Sequence, residues 1–239
     1  MSYANGPRIV TDGLVLCLDA ANRKSYPGSG DMWYDLSGNN NHATIYGPVF
    51  NSGNGGYFDF NGSTHYMSIS ASSSLQMTDE LTLVSIFRPD VFGDNKSRLF
   101  DTYGSVTANA GASFALKMGT SSPNDISFFL IQSGGTFYEV KRTVPILDST
   151  QEIYAISARW RKSDGSSNVF VNGVEPNYAL NNSFTSDLGT LTNAISIGLL
   201  PYFQIYGDQK VYCSLIYNRY LTNDEITQNY NATKGRFGL

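Results

Sequence analysis

One short segment carries oxygen-bearing side chains at alternate positions: Asp35, Ser37, Asn39 and Asn41. Carboxylate, hydroxyl and amide oxygens are the hard ligands that calcium takes, and calcium-binding loops present their first ligands with this alternation. The glycine and the glutamate that such a loop carries at its sixth and twelfth positions are missing. The same residue types also form Asx-turns in tight loops without any metal. The segment therefore predicts either a calcium site or a self-bonded turn.

Aromatic side chains concentrate in two stretches that are expected to be loops, one near residue 33 and one over residues 199–209. Aromatic rings on loops are plausible anchors for a glycan, because an amphipathic ring offers an apolar face and a polar edge. The core or a subunit contact is the alternative for Trp33 and Phe203, since interfaces are also enriched in aromatic residues. The candidates for carbohydrate binding are Trp33, Tyr34, Tyr202, Phe203, Tyr206 and, as a hydrogen-bond acceptor, Asp208.

Other chemistries find little support. The two histidines, His42 and His65, have no cysteine or histidine at the spacing of a zinc site. Cys17 and Cys213 are the only cysteines, and both lie in apolar, strand-like runs, which is poor placement for a nucleophile. Two buried free thiols are expected, and a disulfide between the first and last strands is the alternative.

Composition and charge exclude several function classes. Charged residues are only 15% of the 239 residues, which favours short strands joined by polar turns over a helical bundle. The net charge of -4 lacks the basic excess on which nucleic-acid binding depends. No apolar run approaches the roughly 20 residues of a membrane span. The opening MSYANGPRIV lacks the basic and apolar regions of a secretory signal, so we expect no signal peptide and neither a membrane nor a nucleic-acid partner.

The clearest structural pattern covers residues 153–178. Every second residue from Tyr154 to Trp160 is apolar, as in a strand with one buried face. Asn172-Gly173 then separates two valines, and this dipeptide tolerates the positive φ that a type I′ turn requires. We therefore expect an antiparallel meander closed by a tight hairpin at VNGV.

The two ends of the chain carry their own signals. Residues 13–18 (GLVLCL) are apolar almost throughout and predict a strand that is buried on both faces. Thr222 and Glu225 have the spacing of a capping box, which predicts one short C-terminal helix that ends near Gly235. Nothing resembles a linker or an internal repeat, so one domain over residues 1–239 is expected.

Seven segments, in order along almost the whole chain, carry a family resemblance. They are GLVLCLDAAN (13–22), WYDLSGNNNHA (33–43), YFDFNGSTHYMSI (57–69), LTLVSIFRP (81–89), VFVNGV (169–174), ISIG (195–198) and YNRYLTNDEI (217–226). As a set they resemble laminin-G-like members of the concanavalin A-like lectin/glucanase superfamily. The resemblance implies an all-β, two-sheet antiparallel jelly-roll sandwich in which the first and last strands pair. Two features depart from the family: Phe87 stands where relatives often carry tryptophan, and residues 199–209 are longer than the expected turn.

A second resemblance concerns the biological setting. The segment that begins GLVLCLDAANRKSYPGSG, together with the tail QNYNATKGRFGL, resembles such domains in bacteriophage structural proteins. This implies a non-enzymatic virion surface protein, a capsid decoration or fibre component, with weak adhesion to glycans. It would be assembled in the host cytoplasm and released by lysis. The expected partners are viral capsid or tail proteins, cell-surface glycans and further copies of the chain. A stand-alone carbohydrate-binding lectin is the alternative.

Catalysis is not expected. Glycanases of this superfamily carry catalytic carboxylates in a Glu-x-Asp-x-Glu pattern on one strand face, and the sequence lacks that pattern. A glycosidase needs two carboxyls about 5–10 Å apart. Asp79-Glu80 and Asp224-Glu225 are adjacent pairs, which a strand would point to opposite faces. A hydrolase whose carboxylates converge from distant segments is the less favoured alternative.

Overall fold

The computed structural model describes residues 7–93, 96–102, 112–119 and 121–239. Within these ranges the chain forms two antiparallel sheets, a two-stranded hairpin and one C-terminal α-helix. The predicted all-β, two-sheet sandwich with a single short helix is confirmed. No helix among the described residues is long and apolar enough to cross a membrane.

Short strands follow one another along the described part of the chain, and the helix comes last. The elements are β1 (Leu14–Asp19), β2 (Met32–Trp33), β3 (Ala43–Tyr46), β4 (Val49–Asn51), β5 (Tyr57–Asn61), β6 (Tyr66–Ile69), a 3-10 turn (Ser73–Leu75), β7 (Glu80–Pro89), β8 (Ser97–Asp101), β9 (Phe114–Met118), β10 (Ile126–Ile131), β11 (Phe137–Thr143), β12 (Tyr154–Arg161), β13 (Ser167–Val171), β14 (Tyr178–Asn181), β15 (Ile195–Ile197), β16 (Leu199–Leu200), β17 (Ile205–Tyr206), β18 (Asp208–Tyr217) and α1 (Asn223–Phe237).

The first sheet has the strand order β13-β12-β7-β18-β5-β4, and β1 pairs with β18 as a seventh strand. The start of β18 pairs with β5 and its end pairs with β1, so both partners lie along one edge of the same long strand. The predicted pairing of the first and last strands is therefore confirmed. Because β7 lies on the other side of β18, the second half of β18 is paired on both sides.

The second sheet has nine strands in the order β14-β11-β10-β9-β8-β15-β6-β3-β2. Successive side chains along its strands point alternately into the core and to the outside. Strand β9 illustrates this: Phe114, Leu116 and Met118 belong to the core, whereas Ala115 and Lys117 do not. The core between the sheets also contains Phe87, which is fully buried. The outer face of this sheet is the one that carries the candidate site.

Both cysteines are buried and free. In the register of β1 with β18, Cys17 faces Leu215 and Cys213 faces Asp19, so the two residues are not direct partners. Burial raises the pKa of the Cys17 thiol to about 12 and raises that of Cys213 as well. The expected pair of buried free thiols is confirmed.

The turn at Asn172-Gly173 has the predicted geometry. Both residues have positive φ, 52° and 79°, and Val171 and Val174 exchange two backbone hydrogen bonds of 2.9 and 3.0 Å. The Asn172 side chain also accepts a hydrogen bond from the Ala155 N–H at 2.9 Å, which ties the turn to β12. The meander ends there, however, because the next strand, β14, pairs with β11 of the second sheet.

The helix begins as predicted and ends later than predicted. The Thr222 hydroxyl and the Glu225 carboxylate form both halves of the capping box. The helix continues through Gly235 to Phe237, and Gly238 provides the left-handed cap at φ 74°. Phe237 is buried against Tyr212, with 5.4 Å between ring centroids, and this contact explains the additional residues of the last turn.

Candidate functional site

The segment with alternating oxygen side chains forms a hydrogen-bonded turn. The Asp35 Oδ1 accepts from the backbone N–H groups of Cys17 at 2.8 Å and Ser37 at 2.9 Å. Its Oδ2 accepts from the Ser37 hydroxyl at 2.7 Å and the Asn41 N–H at 3.0 Å. A carboxylate offers about four lone-pair positions, and these bonds use all of them. No group of three or more histidine, cysteine or acidic residues in the described ranges could hold a metal. The residues present do not fit a calcium ion, and the Asx-turn alternative describes them.

This turn has a structural task, which is to cover the free edge of β1. That strand pairs with β18 on one side only. On the other side, the backbone of Leu36 donates to the Cys17 carbonyl at 2.8 Å, and the Asn41 amide donates to the Val15 carbonyl at 2.7 Å. The exposed Asn39 reaches the Leu14 carbonyl more weakly, at 3.4 Å. The segment thus satisfies backbone groups that an unpaired strand would leave open.

The prediction that Trp33 binds carbohydrate is wrong. The register of β2 with β3 pairs Trp33 with the buried Ala43, and this directs the indole into the core. The side chain has 0% exposure and packs against Phe58, with 4.9 Å between ring centroids. Core packing, the alternative prediction for this residue, is what the structure shows.

Tyr34 and Asp208 lie outside the segment that carries Tyr202, Phe203 and Tyr206. Tyr34 is 42% exposed and contacts His42 beside β2, the edge strand of the second sheet. Asp208 opens β18 in the first sheet, where its backbone carbonyl accepts a hydrogen bond from Asp90 N–H at 3.1 Å. Burial first, and then the charge of Asp90, raise the pKa of Asp208, whereas Lys210 lowers it. Neither residue lines the apolar cleft on the outer face of the second sheet that is described below.

Most of the stretch 199–209, from residue 199 to residue 206, forms a small hairpin rather than a plain loop. Strands β16 and β17 pair through Leu199 with Tyr206 and Leu200 with Ile205. At the tip, the rings of Tyr202 and Phe203 meet edge to face with 4.4 Å between centroids, and Phe203 is 58% exposed. The hairpin thereby presents an aromatic side chain beyond the sheet surface.

A cleft of about 430 Å³ lies between this hairpin and the outer face of the second sheet. Such a volume falls within the usual range for small-molecule sites. Three phenylalanine rings, from β10, β11 and the hairpin tip, supply apolar surface, and charged side chains from β8 and β9 supply polarity. The lining residues are Arg98, Asp101, Ala115, Lys117, Phe129, Phe137, Leu200, Phe203 and Ile205.

Two of the charged groups in the cleft, Arg98 and Asp101, are buried and paired, and the third, Lys117, is partly buried. Arg98 Nη1 lies 3.1 Å from Asp101 Oδ2, and the two side chains are 3% and 1% exposed. Burial lowers the pKa of Arg98, an effect that the Asp101 charge opposes. The Lys117 ammonium lies 5.0 Å from the centroid of the Phe129 ring, in a cation–π arrangement. These groups offer fixed hydrogen-bond donors and acceptors beside flat apolar rings, which suits a ligand that is itself apolar on one face and polar at its edge.

Of the residues that line this cleft, only Phe203 is among the carbohydrate-binding candidates that the sequence indicates. Arg98, Lys117 and Phe129 lie on three neighbouring strands, and only the sheet register brings them together. A weak signal was present, because Lys117 interrupts an apolar strand at a position that alternates with core residues. That signal marks an outward-facing residue, but it does not identify the neighbouring strands.

We expect Lys117 to make stability depend on pH. Burial lowers the pKa of Lys117 to about 8; the Arg98 charge acts in the same direction, and Asp101, Glu139 and Asp125 act against it. The unfolded chain holds this proton up to a pKa near 10.5, so the unfolded state binds more protons between these values and stability rises with pH.

The stability of the wild type relative to Lys117→Met should therefore increase by about 2 kcal/mol between pH 7 and pH 10, since one pKa unit corresponds to about 1.4 kcal/mol. Denaturant unfolding of both proteins at the two pH values measures this difference. Tyrosine titrations are common to both proteins and cancel. A difference that stays constant with pH would contradict the expectation.

The architecture is that of a two-sheet jelly-roll sandwich, and solved structures of the same fold support this assignment. No family model matches the sequence, and no curated protein is significantly similar to it. A botulinum neurotoxin type C chain, whose cell entry depends on interaction with two ganglioside molecules, matches with a TM-score of 0.67 at 12% identity. The match covers 93% of this chain and 52% of the toxin chain, so the chain spans about half of that structure.

Two further structures have the same fold. The binding domain of botulinum neurotoxin serotype G matches with a TM-score of 0.64 at 17% identity, over 91% of this chain and 50% of the other. Domain 4 of AbnA, a GH43 extracellular arabinanase from Geobacillus stearothermophilus in complex with arabinotriose, matches with a TM-score of 0.66 at 13% identity. That match covers 95% of this chain and all of the arabinanase domain. At such identities the similarity concerns the fold alone.

Proposed function

We propose that this chain is a non-enzymatic glycan-binding domain whose site is the cleft between the β16–β17 hairpin and the second sheet. The observation that carries the proposal is the meeting of three aromatic rings with the buried Arg98–Asp101 pair and Lys117 in one cleft. The rings provide flat apolar surface for sugar rings, and the charged groups provide fixed partners for hydroxyls. The ganglioside interaction of the type C neurotoxin and the arabinotriose bound to the arabinanase domain are consistent with this use of the fold.

Binding without turnover agrees with the carboxylates near the site. Asp101 is the one carboxylate among the described residues that line the cleft, and Arg98 holds it in an ion pair. A glycosidase needs a second carboxyl across the scissile bond. The glutamates of the two adjacent acidic pairs have structural roles instead. Glu80 accepts a hydrogen bond from the Tyr220 N–H at 2.8 Å, and Glu225 caps the helix.

For the biological setting, the proposal is a single domain over residues 1–239 on the surface of a bacteriophage virion, as a capsid decoration or fibre component. The resemblance of the chain's first segments and tail to phage structural proteins supports it. The partners would be capsid or tail proteins, cell-surface glycans and, in a fibre, further copies of the chain. Mass spectrometry and immunogold imaging of purified particles test the location. Absence from the particles would contradict the virion role and favour a stand-alone lectin.

Phe129→Ala tests the site itself. Buried aromatic anchors commonly contribute about 2 kcal/mol or more to binding, so we expect the affinity for the bound glycan to fall about 30-fold. A glycan array, read with calcium and again with a chelator, identifies the ligand, and calorimetry gives the affinities. Tyr34→Ala, which removes an exposed aromatic ring outside the cleft, is the matched control and should bind normally. A wild type that binds no glycan, or a Phe129→Ala protein that binds as the wild type does, would contradict the proposal.

A further inference from the structure

A second aromatic surface lies on the outer face of the same sheet, on the other side of the hairpin. Tyr46 of β3 and Tyr66 of β6 are register partners, and their rings stack with 4.6 Å between centroids and 11° between planes. Tyr206 of β17 adjoins Tyr66 at 6.4 Å. Tyr46 is 45% exposed. We call these three residues the tyrosine surface.

The hairpin separates the tyrosine surface from the cleft and belongs to both. Strand β17 consists of two residues, and successive side chains of a strand point in opposite directions. Ile205 lines the cleft, whereas Tyr206 contacts Tyr66. The two aromatic surfaces are therefore the two flanks of one hairpin.

The sheet register connects the two surfaces. Asp101 in the cleft pairs with Ser196 of β15, and Ser196 pairs with Ser68 of β6, two residues beyond Tyr66. Strand β6 lies three strand spacings from β9, which at about 4.8 Å per spacing is about 14 Å. A ligand in contact with both surfaces must span a distance of that order and pass over the β16–β17 hairpin that separates them.

We propose that the tyrosine surface is a second subsite for the glycan that occupies the cleft, and that the preferred ligand is an oligosaccharide long enough to reach across the hairpin. This inference rests on the proposed function. The ring faces and phenol hydroxyls of the tyrosine surface suit a neutral sugar ring. Burial, and then the neighbouring phenols of Tyr46 and Tyr206, raise the pKa of Tyr66. The charged end of the site remains in the cleft.

The test is the dependence of affinity on ligand length. Wild type, Tyr46→Ala, Tyr206→Ala and Phe129→Ala are measured against arabino-, gluco- and galacto-oligosaccharides graded from disaccharide to octasaccharide. For the wild type we expect affinity to rise with length. Each tyrosine variant should lose about three- to tenfold in affinity for the long members and nothing for the disaccharide. Phe129→Ala should lose affinity at every length. Tyr46→Phe, which keeps the stacked ring, should retain most of the gain with length.

The outcomes separate the two proposals. If the wild type binds these sugars but the tyrosine variants match it at every length, the second subsite is excluded and the cleft remains. If the tyrosine variants lose the same factor in affinity at every ligand length, the second subsite is also excluded, because such losses indicate a general effect on the fold. If the wild type binds none of the series, the proposed function fails and the second subsite fails with it. Tyr34→Ala, an exposed tyrosine away from both surfaces, should follow the wild type throughout.

Discussion

Asp35→Ala is expected to lower the free energy of unfolding by about 2–6 kcal/mol. The substitution removes an acceptor of four hydrogen bonds, two of which come from the backbone N–H groups of the buried residues Cys17 and Asn41. A buried donor that loses its partner costs about 1–3 kcal/mol, and the two costs add because water has poor access to either group. The edge of β1 is then uncovered as well. Chemical denaturation monitored by tryptophan fluorescence measures the loss.

The matched control lies in the same segment. Asn39 is exposed, and its amide makes only the long bond to the Leu14 carbonyl and a bond to Ser37. Asn39→Ala should therefore change stability by less than about 0.5 kcal/mol, as surface substitutions usually do. A calcium site would instead make the wild-type melting temperature rise with calcium and fall with a chelator, and neither shift is expected. An Asp35→Ala protein as stable as the control would show that the turn does not support β1.

The parts of the fold that could be predicted correctly are those that depend on residues close together in the sequence. The Asn172-Gly173 turn and the Thr222 cap each require only residues within a few positions, and both formed as expected. The sequence left Trp33 open between the core and a carbohydrate site, because the face of β2 that it occupies depends on pairing with Ala43, ten residues away. A short strand with one aromatic residue gives no local indication of which face is buried.

The ambiguity at Asp35 has a different cause. Oxygen side chains at alternate positions serve a cation and a self-bonded turn equally well. The partner that decides between them is the edge of β1, 18 residues earlier in the chain. The cleft could not be predicted for a related reason: its charged and aromatic residues converge only once β8, β9 and β10 are in register. Long-range pairing therefore determines the site, whereas local sequence determines the turns.

Breaking the Arg98–Asp101 pair from one side should destabilise the protein by about 3–5 kcal/mol, because the charge that stays buried loses the ion pair that offsets its desolvation. Arg98→Met and Asp101→Leu are each expected to show this loss in denaturant unfolding. Arg88 and Asp90 provide a control, since they form a pair of similar length, 3.0 Å, with both side chains 20% exposed. Arg88→Met should cost less than either of these changes, because both groups of this half-buried pair keep some access to water.

The double variant Arg98→Met/Asp101→Leu separates the structural role of the pair from its role in the cleft. With both charges replaced by apolar side chains of similar size, most of the lost stability should return. Glycan binding should not return, because the cleft has lost its fixed polar groups, and we expect at least a tenfold lower affinity in calorimetry. A stable double variant that binds glycan as the wild type does would mean that the pair only supports the sheet. Recognition would then depend on the aromatic rings and Lys117, and the ligand would have to be bound mainly through its apolar faces.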